Sequence, residues 1–148
     1  MTRVHGTAVA LDGAGVLIRG PSGSGKSDLA LRLIDAGAQL VADDQTELSP
    51  GERALIMRAP LALAGRLEVR GVGIAHVPTV AEAPLRLVLD LVRPEEVERL
   101  PEASLCEVLE RKIPRLALTP FEASAVAKVR LALRGLVSPE PGPILAAP

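Results

Sequence analysis

Eight residues constrain this chain more than any others: Gly20-Pro21-Ser22-Gly23-Ser24-Gly25-Lys26-Ser27. They fit the pattern Gly-x-x-x-x-Gly-Lys-Ser, and each fixed type has its own physical reason. Glycines let successive backbone N–H groups curl around one anionic centre, in conformations that a side chain would forbid. A helix starting at the end of the loop adds partial positive charge there. The flanks supply that context: Val16-Leu17-Ile18 is a strand-like run entering the loop, and Leu29, Ala30, Leu33 and Ile34 recur at helical spacing after it. A strand, such a loop and a helix together bind the phosphates of a nucleoside triphosphate. Lys26 is expected to reach the β- and γ-phosphates and Ser27 to ligate Mg²⁺. ATP and Mg²⁺ are thus the expected cofactors, with residues 20–27 as the binding loop.

The unit points to an α/β fold, and the length to a single domain. Thr7–Leu11 and Gly15–Arg19 read as strands joined by Asp12-Gly13-Ala14, an Asp-Gly turn signal. The helix over Ser27–Ala36 stops at Gly37, and Ala38–Ala42 reads as a buried strand ending in Asp43-Asp44. Leu48–Leu55 predicts a hairpin around Pro50-Gly51, Leu85–Val92 an apolar strand and Leu116–Leu118 a short one. Leu105–Lys112 and Glu122–Leu133 carry helical spacing. Residues 1–137 are expected to form the domain and the Pro- and Ala-rich residues 138–148 a flexible tail.

Composition narrows the partners. Phe121 is the sole aromatic residue, so the core must be aliphatic and no set of aromatic platforms exists for stacking a nucleic acid. The formal net charge of -1 gives no general attraction to nucleic acid or to an anionic membrane. No stretch approaches the ~18–20 uninterrupted apolar residues of a membrane span. Cys106 has no cysteine to pair with, which fits a cytoplasmic setting.

Four pieces in order resemble the C-terminal catalytic domain of HPr kinase/phosphorylase. They are His5-Gly6, the loop Gly20–Ser27, the run Leu40-Val41-Ala42-Asp43-Asp44, and Leu67-Glu68-Val69-Arg70-Gly71-Val72-Gly73-Ile74. The third is similar to the family's Val-Ala-Asp-Asp segment and the fourth to its signature Leu-Glu-Ile-Arg-Gly-Leu-Gly-Ile. The resemblance implies the fold, an α/β P-loop kinase-like core with a mixed sheet and flanking helices, and a serine kinase acting on HPr, a small phosphocarrier of the sugar phosphotransferase system. Many members also run the reverse phosphorolysis, and full-length members assemble as hexamers. It further implies a short form of the alphaproteobacterial type, lacking the usual N-terminal domain and self-associating.

Carried over by that resemblance, Asp44 is the base for the substrate serine and His5 sits beside it. Lys26 neutralises the migrating phosphoryl, Ser27 and Glu68 hold Mg²⁺, and Arg99 is a further active-site arginine. The residues themselves support part of this. Phosphoryl transfer to a hydroxyl needs charge neutralisation and a proton acceptor. Asp43-Asp44, at a strand end beside the loop, can supply the acceptor. Adjacent carboxylates on a strand face opposite ways, so one is expected to face the phosphate while the other orients a neighbour or holds metal-bound water. Asp90, closing the run Leu85-Arg86-Leu87-Val88-Leu89, imitates a metal-binding aspartate and ranks behind Glu68. His76 reads as structural.

Two departures from the family pattern matter. Where the family carries Arg-Pro-Gly-Arg-Asn, tied to dephosphorylation, this chain has Leu118-Thr119-Pro120-Phe121-Glu122-Ala123-Ser124. The loss of both arginines tells against phosphorolysis. The segment between Gly73 and Leu85 is also short. Two other readings stay open: a P-loop kinase of a small molecule, and a nucleotide-binding regulatory module with little turnover. The single phenylalanine and the Glu68–Ile74 signature argue against the first.

Overall fold

The computed structural model describes residues 1–137, so the expected tail over 138–148 lies outside the described residues. Strands β2 (Thr7–Leu11) and β3 (Ala14–Arg19) form the first hairpin. Asp12 and Gly13 turn it at φ 49° and 82°, the two successive positive values that match the twist of paired strands. Val16, Leu17 and Ile18 are inaccessible or nearly so, because β3 is covered on both faces. It runs parallel to β9 (Glu82–Leu91), which in turn runs parallel to β11 (Arg111–Leu118).

On its other side β3 meets β2, and β2 meets the edge strand β4 (Gln39–Ala42). An antiparallel ribbon of β1 (Thr2–His5), β5 (Gln45–Pro50) and β6 (Leu55–Arg58) joins the sheet through the start of β9. The described residues thus form a nine-stranded mixed sheet, with the path β1-β5-β6-β9-β3-β2-β4 and β11-β10 attached to β9. A separate hairpin pairs β7 (Arg66–Val69) with β8 (Gly73–His76).

Alternation along the strands sorts the core into two clusters. Val16, Ile18, Leu87 and Leu89 pack with helix α1 (Lys26–Asp35) and helix α2 (Ala125–Val137). Leu17, Leu85 and Val88 face the other way and pack with Leu48, Leu55 and Met57 of the ribbon. The amphipathic face foreseen for α1 is the buried one: Leu29, Ala30 and Leu33 are fully enclosed. The helix ends as Gly37 predicts. At φ 111°, Gly37 donates to the Ile34 carbonyl, and Ala38 donates to that of Leu33. No helix among the described residues is long and apolar enough to cross a membrane.

The helix expected over Leu105–Lys112 is instead a hairpin, β10 (Ser104–Val108) returning as the start of β11. Leu105, Val108, Leu109 and Lys112 do fall at helical spacing, but the burial alternates with period two. Val108 and Ile113 are buried while Leu105 is 59 % exposed. The turn is Leu109-Glu110, at φ 46° and 66°, a geometry that ordinarily selects Asn or Gly. Pairing of β11 along β9 outweighs the local cost. The second helix begins at Ala125 rather than Glu122, and β11 is longer than the Leu116–Leu118 foreseen.

Candidate active site

The loop between β3 and α1 is shaped by its glycines. Gly23 and Gly25 lie at φ 81° and 104°, where L side chains are strained. At Gly20 a Cβ would come within 2.5 Å of Ser24 Oγ, so the chain can close there only without one. Ser24 Oγ is buried and has no hydrogen-bond partner among the described residues. An unmatched buried hydroxyl is costly, and it suits a loop whose missing partner is a ligand oxygen. Lys26 is only 7 % exposed, and its Nζ donates to the carbonyls of Gly20 (2.8 Å) and Pro21 (3.1 Å). The ammonium is thereby kept at the loop instead of extending into solvent.

Asp43 ties three elements together. Its Oδ1 accepts from Ser27 Oγ at 2.8 Å and from Thr7 Oγ1 at 3.1 Å, and its Oδ2 accepts from the Glu68 N–H at 3.2 Å. The first turn of α1, the start of β2 and the β7–β8 hairpin thus share one carboxylate. Asp44 follows in the left-handed region at φ 65°, and its carbonyl accepts from the Gly6 N–H. Strand alternation alone would send the two carboxylates to opposite faces. Here Asp44 lines the cleft beside the loop, while Asp43 orients Ser27 and its neighbours.

Asp44 remains open: its side chain is 65 % exposed, and Oδ1 lies 2.9 Å from His5 Nε2. His5 reaches it because β1 pairs with β5 in a register that sets His5 opposite Gln45, the neighbour of Asp44. A cleft of ≈ 520 Å³ collects Ser22, Gly23, Gly25, Lys26 and Ser27 from the loop, together with Asp44 and Glu68.

The expected site residues therefore meet, with one exception. Arg99 lies exposed after the short 3₁₀ turn Pro94–Glu96 and does not line this cleft. Its segment forms a surface connection capped by Arg93 and Glu96 instead of folding over the loop. Asp90, the second choice for a metal, is also engaged elsewhere. It shares the sheet face of Val88, away from α1, and binds Arg19 (2.8 and 2.9 Å) and Arg115 (2.5 Å). Burial opposes its ionisation, but the two guanidiniums outweigh that and hold its carboxyl below the usual range. His76 is exposed on β8, opposite Arg66.

Of the cleft residues that were not foreseen, two come from outside the loop and its helix and carry a charge or a ring. Arg70 arrives on the β7–β8 turn, and Phe121 arrives on the loop from β11 to α2. Arg70 sits inside the segment that signalled Glu68, whereas nothing local to Phe121 announced its place.

Residues 1–129 match the family described as HPr Serine kinase C-terminal domain. The chain belongs to that family. It is similar to the HPr kinase/phosphorylase of Clostridium acetobutylicum, with 48 % identity over 79 residues, 53 % of this chain and 26 % of that protein. The HPr kinase/phosphorylase of Bordetella pertussis is 43 % identical over 111 residues, 68 % of this chain and 36 % of the relative. The matches thus span about a quarter to a third of these relatives' length. Among solved structures, the Hpr(Ser) kinase/phosphatase from Coxiella burnetii matches with a TM-score of 0.77 and 29 % identity. That match covers 91 % of this chain and 94 % of the other. The mixed α/β fold expected from the sequence is that of the family.

Proposed function

We propose that this chain is an ATP-dependent protein kinase that phosphorylates a serine of HPr or a closely related phosphocarrier. One observation carries the proposal. Asp44, exposed and paired with His5, opens into the same cleft as Lys26 and Ser27. A carboxylate so placed can take a proton from a hydroxyl delivered by a second protein, because it is exposed among the described residues. The names of the relatives, HPr kinase/phosphorylase, give the substrate class.

In the proposed reaction the serine oxygen attacks the γ-phosphorus and the bond from that phosphorus to the ADP oxygen breaks. The serine proton passes to Asp44, whose carboxylate His5 holds in place. Backbone N–H groups of residues 20–27 cradle the phosphates, and Lys26 balances charge on the moving group. Ser27 and Glu68 are the proposed holders of Mg²⁺, with Asp43 fixing the Ser27 hydroxyl. Their hard oxygens suit that ion, which takes one or two protein ligands alongside phosphate and water rather than a dense cluster. When bound, it would supply charge neutralisation to the β- and γ-phosphate oxygens.

Only the kinase direction is proposed. The loop from Leu118 to Ser124 offers no arginine to bind the inorganic phosphate that phosphorolysis would require. Cys106, unpaired, and a phosphocarrier substrate both fit a cytoplasmic protein.

The test is transfer of label from γ-labelled ATP to an HPr-like carrier with Mg²⁺ present. Label on serine with the wild type, absent with Asp44→Ala while ATP binding persists, is the expected result. Equal labelling by both proteins would remove Asp44 from the chemistry.

A further inference from the structure

The single aromatic ring of the chain stands at the rim of the phosphate loop. Phe121 is 71 % exposed, although the two core clusters are built without any aromatic residue. A lone exposed apolar side chain is ordinary, and Leu61, Val72 and Leu100 are others here. Its position makes Phe121 different. A Cβ added at Gly25 would lie 2.9 Å from Phe121 Cζ, so the ring packs directly over the glycine before Lys26. It lines the same cleft as Lys26, Ser27 and Leu31.

The ring is also presented by a braced loop. Leu118, Thr119 and Pro120 are buried, and the Pro120 carbonyl accepts from Arg32, which Asp28 holds at 3.1 Å across one turn of α1. On the far side Lys128 binds Glu122. The anchors flank Phe121 and leave its face open.

We propose that Phe121 is the platform on which the base of the nucleoside triphosphate stacks, with Leu31 as an apolar neighbour on α1. The inference rests on the triphosphate reading of the loop and adds where the base lies. Phosphates seated at residues 20–27 direct the attached nucleoside along the loop's rim, where an exposed ring can cover one face of the base. Stacking is tolerant of base identity and strongest for the larger purines. The site therefore selects a purine over a pyrimidine by overlap area, with no hydrogen-bond code required.

The test compares the Kd of Mg·ATP with that of Mg·tripolyphosphate, which has the phosphates and no base. Phe121→Ala is expected to weaken ATP about tenfold, within the range for one base–aromatic stack, and to change tripolyphosphate less than about twofold. Phe121→Trp should restore ATP affinity. The chain contains no Trp or Tyr, so that indole reports alone. Its fluorescence should change on adding ATP and stay constant on adding tripolyphosphate. Equal weakening of both ligands by Phe121→Ala would make the ring a shaper of the loop and overturn the platform. So would unchanged affinity for ATP. If wild-type protein bound neither ligand, the triphosphate reading itself would fail and take the platform with it.

Discussion

His5 Nε2 and Asp44 Oδ1 lie 2.9 Å apart, although 39 positions separate the residues in the chain. The contact exists because β1 runs antiparallel to β5, and the left-handed turn at Asp44 points its carboxylate to the strand partner's end. In the proposed reaction His5 holds the proton acceptor. His5→Ala should lower kcat by roughly 10- to 100-fold while leaving the KM for ATP nearly unchanged, since His5 does not line the phosphate loop. Steady-state kinetics at saturating carrier checks this, and a rise in KM with kcat intact would contradict it.

Asp43 is predicted to matter for both folding and metal use. Asp43→Ala strands the Ser27 and Thr7 hydroxyls and the Glu68 N–H, each of which now donates to it. The expected loss is about 2 kcal/mol in urea unfolding, in line with unpairing part-buried polar groups. The Mg²⁺ concentration for half-maximal rate should also rise, because the Ser27 hydroxyl loses its anchor. A stability loss without a change in Mg²⁺ dependence would confine Asp43 to a structural role.

Lys26 supplies the positive charge closest to the transferred group in this account. Lys26→Ala should reduce the transfer rate by roughly 10²-fold or more, the usual scale for removing a charge that acts on the transition state. A variant as fast as wild type would show that the loop serves some other purpose.

Asp90 gives a pH signature of stability. Arg19 and Arg115 hold its folded-state pKa below the ordinary 3.8, so the unfolded chain binds the proton more readily. The pair's contribution is accordingly present above pH 3.8 and is lost as pH falls through the lower folded value. Asp90→Asn should lower Tm at neutral pH, leaving two arginines facing each other, and the gap to wild type should close as the solution is acidified below about pH 4. A gap independent of pH would mean that the ion pair is not its source.

How much of this was legible depends on how local each signal is. The loop, its strand and its helix carry their reasons within neighbouring residues, and Asp12-Gly13 announces its own turn. Asp43 and Asp44 were legible as a pair with divided orientations, but the positive φ at Asp44 is advertised by no neighbouring glycine. The β10–β11 hairpin was hidden because its turn is Leu109-Glu110, residues that take left-handed geometry only when the flanking strands are held elsewhere. Asp90 looked like a metal ligand until Arg19 and Arg115, the latter brought alongside by β11, claimed it. Phe121 was conspicuous in composition and silent about location, since only the β11–α2 connection carries it to Gly25.

Intact-mass spectrometry of an HPr-like carrier, after incubation with this protein and Mg·ATP, reads the proposed transfer itself. The expected result is a gain of one phosphate, located on serine, that disappears when Asp44→Ala replaces wild type and ATP binding is retained. An unchanged carrier mass, with ATP bound normally by the wild-type protein, would contradict it.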